Sequence, residues 1–306
     1  MVFMKRIAIL AHYDKKNIID DYVLFCINEL KRVCNEVVFV SCCDLSENEL
    51  NKLDCHKISK EHNEYDFGSY KRGFVYAKEN NLLENCDEIL FLNDSCYGPF
   101  KPLDKIFEKM NESSCDFWGF TKNKYAFKIV KKRTKDCFIP HIQSYFFVLK
   151  SNVFNSQVFN DFINSVKEEE SKNKVIEKYE IGLTTVLEAA GFSSDFLIKK
   201  FYKYNNPTVY KWRELYEKSD FPFIKCSLLR LNNTLHTTVE GWRDLFTKEQ
   251  IGLIEKNLEY TRTRKMKHLA PAWFKKFVFN HLPNKKMKLR MLTRALLRSI
   301  FAFITD

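Results

Sequence analysis

Residues 87–100 read Asp87-Glu88-Ile89-Leu90-Phe91-Leu92-Asn93-Asp94-Ser95-Cys96-Tyr97-Gly98-Pro99-Phe100. The apolar run Ile89–Leu92 is too short for a helix, and Gly98-Pro99 forbids continuation, so the stretch reads as a buried strand that stops abruptly. It stops in an amide, a carboxylate and a hydroxyl, Asn93-Asp94-Ser95. In an α/β sheet that end of a strand lies at the carboxyl edge, where ligands of such folds collect. The plainer alternative is an Asn-Asp-Ser turn in which Asp94 bonds only local backbone.

Working outward, strands and helices alternate. Ile7–Leu10 and Val37–Val40 read as buried strands around a helix over Ile18–Val33, whose Ile19, Tyr22, Phe25 and Leu30 face inward. Ser46 with Glu49 makes a capping box for a short helix. A helix over Tyr70–Asn80 follows a turn at Asp66-Phe67-Gly68, and another covers Lys105–Met110. Phe117–Phe120 and Tyr145–Leu149 read as strands; Phe154–Val166, Val175–Tyr179 and Ile181–Ala190 read as helices, the last stopped by Gly191. This alternation predicts a mostly parallel sheet covered on both faces. There is no G-x-G-x-x-G after the first strand and no G-x-x-x-x-G-K-[ST], which removes the main support for dinucleotide oxidoreductases and P-loop NTPases.

The chain has 306 residues and 45% hydrophobic content, enough to bury a sizeable core. Its ten cysteines include no C-x-x-C pair and several lie in apolar runs, so they read as reduced thiols of a cytoplasmic protein, with no zinc spacing. The apolar run before His12 is too short for a signal peptide or a membrane span. The net charge of +11 resides entirely in residues 262–306, which carry twelve Lys or Arg and one acid. Within them Lys286, Arg290, Arg294 and Arg298 recur every four residues, while Leu289, Leu292, Leu296, Ile300 and Phe303 fall on another face. With Trp273, Phe274 and Phe277 beside lysines, this predicts a basic amphipathic helical tail on an anionic membrane surface, at about 1 kcal/mol per basic residue. Packing on the preceding domain is the competing reading; nucleic acid is disfavoured for want of any accompanying motif. The composition break near Tyr260 predicts one domain over 1–260 and a tail over 261–306.

Five motifs in order, Tyr65-Asp66-Phe67-Gly68-Ser69-Tyr70-Lys71, Leu92-Asn93-Asp94-Ser95-Cys96-Tyr97-Gly98-Pro99, Asp116-Phe117-Trp118-Gly119, His141-Ile142-Gln143-Ser144-Tyr145-Phe146 and Tyr179-Glu180-Ile181-Gly182-Leu183-Thr184, resemble the rhamnan synthesis protein F family. The resemblance spans roughly residues 5–235. It implies a GT-A-like, Rossmann-type αβα sandwich and a glycosyltransferase of cell-surface polysaccharide synthesis. The implied reaction is inverting transfer from a nucleotide-sugar donor, rhamnose from dTDP-rhamnose being the first choice, to a lipid-linked glycan. Its place would be the inner face of the cell membrane, beside other polysaccharide assembly enzymes. The alternative is a catalytically silent scaffold that holds such an assembly at the membrane.

The resemblance also implies roles. Asn93-Asp94-Ser95 stands where GT-A enzymes carry D-x-D, so Asp94 is the one acid that can share a Mg²⁺ or Mn²⁺ with the diphosphate. His12 and Tyr13 would lie by the nucleotide base, Asp66 and Gly68 at a turn near the nucleotide, and Lys71 against a phosphate. Glu180, at the start of a helix, is the expected base, with Asp116 and Glu177 as rivals. Trp118 could stack on a sugar, His141, Gln143 and Ser144 could bind sugar hydroxyls, and His236 could make a late metal or phosphate contact.

Overall fold

The computed structural model describes residues 4–123, 139–199, 206–230 and 239–261. Its strands in chain order are β1 (Arg6–His12), β2 (Glu36–Ser41), β3 (His56–Ser59), β4 (Glu88–Asn93), β5 (Cys96–Tyr97), β6 (Phe117–Gly119), β7 (Lys122–Asn123), β8 (His141–Ile142), β9 (Phe146–Lys150), β10 (Ser194–Phe196) and β11 (Ile224–Lys225). The helices are α1 (Asp21–Lys31), α2 (Glu47–Leu50), α3 (Tyr65–Glu79), α4 (Leu103–Asn111), α5 (Ser151–Phe154), α6 (Gln157–Asn164), α7 (Lys172–Val175), α8 (Gly182–Ala189), α9 (Pro207–Tyr210), α10 (Trp212–Lys218), α11 (Cys226–Arg230) and α12 (Lys248–Thr261).

Among the described residues, seven strands form the central sheet in the order β10-β6-β9-β4-β1-β2-β3. β3, β2, β1 and β4 run parallel, and β10 runs parallel to β6, whereas β9 is antiparallel to both β4 and β6. The expected α/β sandwich is therefore present, and the reversed β9 decides where the site lies. An antiparallel strand starts where its neighbour ends, so the segment entering β9 arrives at the edge that β4 leaves. Asn93 N–H donates to Tyr145 O at 3.3 Å and Asp94 N–H to Ala11 O at 3.2 Å, which fastens three chain segments at that edge.

Both faces of the sheet are covered, which is why its strands read as unbroken apolar runs. On one face Ile89 and Phe91 of β4 and Phe147 and Leu149 of β9 join Phe74 of α3, Phe159 of α6 and Leu187 of α8 in one core. The Phe91 and Phe147 rings stack at 4.8 Å. On the other face Trp118 meets Phe107 of α4, Phe120 and Phe146. At Gly73 a Cβ would lie 2.4 Å from Ile9 Cγ2, so glycine lets α3 approach β1 closely.

Several expected boundaries move. The first helix starts later than Ile18, at Asp21, because the Asp20 carboxylate accepts the Tyr22 N–H and caps it. Helix α3 begins at Tyr65, so Asp66 and Gly68 lie within it and not on a preceding turn. The helix expected over Phe154–Val166 is broken between α5 and α6, where Ser156 accepts from Phe159 N–H. Conversely, the two helices expected on either side of Glu180 are one continuous helical segment. Lys172–Val175 leads through a π-helical stretch, Ile176–Ile181, into Gly182–Ala189 with right-handed backbone throughout.

The chain divides into two compact units, residues 1–226 and 227–306. The described part of the second unit contains α12, where Arg230 Nε donates to Asn257 Oδ1 and Arg243 pairs with Glu255. The composition break near Tyr260 lies inside this unit, and the basic tail, with the charges and leucines singled out above, lies outside the described residues. No helix among the described residues is long and apolar enough to cross a membrane. The nine described cysteines are free thiols.

Candidate active site

The carboxyl edge of β4 carries a hydrogen-bonded chain in which each group donates to the next. Lys225 Nζ donates to Ser95 Oγ at 3.0 Å, Ser95 Oγ to Asn93 Oδ1 at 2.5 Å, and Asn93 Nδ2 to Asp66 Oδ2 at 2.7 Å. A cation thus stands at one end and a carboxyl at the other. Loss of hydration pushes the Asp66 carboxyl above the usual range and Glu180 adds to this, while Lys172, Lys225 and the Asn93 bond oppose it. Lys225 arrives because β11 pairs with β5, Lys225 opposite Cys96, and Cys226 N–H donates to Ser95 O. Its ammonium also lies 4.2 Å from the Tyr145 ring centre. Lysine is common at any surface, and nothing local in the sequence marks this one.

Asp94 follows at the same edge. Its Oδ2 accepts the Tyr13 N–H at 2.9 Å and its backbone carbonyl accepts from the Tyr22 hydroxyl at 3.0 Å, joining the ends of β1 and β4. The Tyr13 ring beside it is 62% exposed and open to stacking on a planar ligand. Asp94 and Asp66 both act on the buried Tyr70 hydroxyl, whose own bond goes to Ser144 O at 2.8 Å.

The segment entering β9 brings the second half of the site. Ser144 Oγ donates to Glu180 Oε2 at 2.5 Å, and His141 Nε2 lies 3.7 Å from Glu180 Oε1. The Glu180 side chain keeps about a fifth of its surface open, while His141 is almost wholly enclosed. Burial lowers the His141 imidazole below its ordinary range, against the pull of Glu180. Glu180 sits in the π-helical stretch and not at a helix start, so the end of a helix dipole does not bear on it. The rivals are elsewhere: Asp116 caps the opposite sheet edge through Ser193 and Asn152, and Glu177 pairs on the surface with Lys174.

Other expected site residues take different places. His12 is buried, bonded to Ser41 Oγ at 3.0 Å and packed on Phe39, so it braces β1 against β2 and does not face a base. Gly68 is buried in α3, where a Cβ would meet Glu64 and His62. Lys71 donates to the carbonyls of Asn164 and Val166 at 2.9 Å each, capping the end of α6 and not a phosphate. Trp118 is 0% exposed, a core aromatic unable to stack on a sugar. Gln143 accepts from Thr121 within the wall behind the site. His236 lies outside the described residues.

Among the described residues no cluster of three or more His, Cys, Asp or Glu side chains is arranged around a metal. The hard carboxylate oxygens of Asp94 and Asp66 are nonetheless the donor type that Mg²⁺ or Mn²⁺ takes, with few protein ligands and several waters.

Residues 37–292 match the family described as Rhamnan synthesis protein F. The chain belongs to the rhamnan synthesis protein F family. Virulence protein VirA of Vibrio anguillarum is 31% identical to this family member over 250 residues, 71% of this chain and 74% of that protein. Uncharacterized protein y4gN of Sinorhizobium fredii is 27% identical over 192 residues, 60% of this chain and 46% of its own length. Among solved structures, residues 1–349 of S. aureus TarS align with 90% of this chain and 79% of that one, at 14% identity and a TM-score of 0.38. The 4-diphosphocytidyl-2C-methyl-D-erythritol synthase of Anaerococcus prevotii covers 67% of this chain and 93% of its own, at 12% identity and a TM-score of 0.40. These structural likenesses are distant, and the assignment rests on the rhamnan synthesis protein F match. Membership supports a nucleotide-sugar glycosyltransferase of polysaccharide synthesis.

Proposed function

We propose that this protein is an inverting glycosyltransferase that moves a sugar from a nucleotide donor to a lipid-linked glycan, with dTDP-rhamnose as the first donor to test. The observation that carries this reading is the position of Glu180. Its carboxylate is held at Oε2 by Ser144 and its side chain keeps about a fifth of its surface open, in the same unit as an edge that holds Asp94 and the Lys225 ammonium. An inverting transfer needs a base on the acceptor side and positive charge on the leaving-group side. In this reading Tyr13 stacks on the base, Asn93 and Ser95 orient the donor, and Lys225 meets the charge that develops on the departing diphosphate. A divalent cation, when bound, would neutralise the same diphosphate, and Asp94, with Asp66 behind it, is the residue that would hold it.

Glu180 takes the proton of the acceptor hydroxyl as its oxygen attacks the anomeric carbon from the face opposite the nucleotide. The basic tail is proposed to hold the enzyme at an anionic membrane surface, close to a lipid-linked acceptor. Release of nucleoside diphosphate in the presence of both donor and acceptor tests the reading. The parent should turn over and Glu180→Gln should fall by about 10² to 10⁴ with donor affinity retained. A chain that binds nucleotide sugar but never releases diphosphate would instead be a silent scaffold.

A further inference from the structure

His141 and Glu180 face each other in an unusual way. The His141 Nδ1 lies 2.7 Å from the carbonyl oxygen of Ile139. A carbonyl only accepts, so Nδ1 carries the hydrogen and, in the neutral ring, the lone pair is left on Nε2. That Nε2 is buried and has no hydrogen-bond partner among the described residues. Across from it stands Glu180 Oε1 at 3.7 Å, another acceptor. The other carboxylate oxygen, Oε2, is already bonded to Ser144. Two acceptors at this separation do not bond each other, and a proton on either would let the pair close into a hydrogen bond.

We propose that His141 and Glu180 work as a proton-accepting pair, in which the proton leaving the acceptor hydroxyl is taken at Glu180 Oε1 and held by His141 Nε2. This rests on the transferase reading above. As the acceptor oxygen bonds to the anomeric carbon, the bond from that carbon to the phosphate oxygen breaks. The nucleoside diphosphate departs with the electron pair. The hydroxyl proton ends on the pair and later passes to solvent, so atoms and charge balance. His141 acts through Glu180 and is a positioning residue.

The groups acting on the imidazole come from several elements. Glu180 of the π-helical stretch raises its proton affinity, Lys122 of β7 lowers it, and the Ile139 carbonyl holds its far side. Glu180 in turn raises the proton affinity of Asp66 of α3. The Glu180 carboxylate beside the ring favours the protonated imidazole against its burial, so a proton delivered to the pair is held between the two groups.

Two measurements on the full-length protein test the pair. In His141→Asn the side chain can still donate to the Ile139 carbonyl but cannot take a second proton. Its turnover should fall by at least about tenfold with donor KM unchanged, and the acid limb of its kcat–pH profile should move about one unit lower. A merely structural histidine would lower activity at every pH and leave the limb in place. The second measurement needs no turnover and follows the His141 ring by NMR titration in the parent and in Glu180→Gln. Removing the carboxylate charge should move its midpoint down by about one unit. An unmoved midpoint overturns the pair, even if His141→Asn fails to fold. A moved midpoint in a protein that releases no diphosphate from any donor would support the pair and overturn the transferase reading.

Discussion

Asp94 ties the ends of β1 and β4 together through a single carboxylate oxygen, and the same carboxylate is the one acid in Asn93-Asp94-Ser95. Asp94→Asn should weaken nucleotide-sugar binding by at least about tenfold, or about 1.4 kcal/mol, in calorimetry; an unchanged affinity would remove it from the site. Lys225→Met should weaken nucleoside diphosphate by a similar factor while leaving the unphosphorylated nucleoside unaffected, because only the phosphates answer to its charge. Asp66 shows the opposing demands of stability and function. Its folded pKa is raised, so between the unfolded value of about 3.9 and the folded value the native state binds more protons, and stability falls as pH rises through that window. Asp66→Asn should therefore raise Tm at pH 7, with the gain vanishing below about pH 4. A gain that persisted in acid would point to packing and not to charge. Asn93, Asp94 and Ser95 were read as polar groups closing the apolar run of β4 and Ser144 and Glu180 from their motifs, and the structure sets Ser95 against Asn93 and Ser144 against Glu180. Lys225 was not, since its partner Ser95 is 130 positions away and only strand pairing brings it near. Trp118 was misread as a sugar platform because a motif does not disclose which side of a strand faces helix α4.

At the scale of elements, the first two strands and the strand before Asn93 were read from their unbroken apolar runs, which both-sided burial requires. Helix ends were less legible, because single caps such as Asp20 and Ser156 compete with the apolar period. The π-helical stretch was invisible, since nothing in the spacing of Val175–Leu183 separates a wider turn from two helices. β5 and β11 offer a direct test. Gly98 has φ of +113°, and a Cβ there would come 2.7 Å from Pro222 O. Gly98→Ala therefore strains its own backbone and displaces the segment that carries Lys225. Transfer should drop by about tenfold or more in a chain that retains its helical signal, and parental activity would separate Lys225 from the reaction.

At the scale of the whole molecule, the sheet order was partly legible: alternation pointed to parallel strands, but not to a reversed β9, because direction depends on where the chain returns and not on local pattern. Charge was legible throughout, and it supplies a test of the proposed membrane contact. Replacing Lys286, Arg290, Arg294 and Arg298 by Gln in the full chain should release it from anionic vesicles at physiological salt. Parental binding should weaken with added salt, since charge is screened over about 8 Å at that ionic strength. Retention of the variant on vesicles would assign the attachment to the apolar face alone.

The donor chain running from Lys225 through Ser95 and Asn93 to Asp66 also has a meaning in time. β1 meets β2 through the single α1 crossover, with Ile7 opposite Glu36, whereas Lys225 must find Ser95 over 130 residues. Contacts so remote in sequence form only after long loops have closed, so they are made late. When the protein refolds, recovery of nucleotide binding should trail recovery of helical signal, and the bound nucleotide would report the last step by which the chain becomes whole.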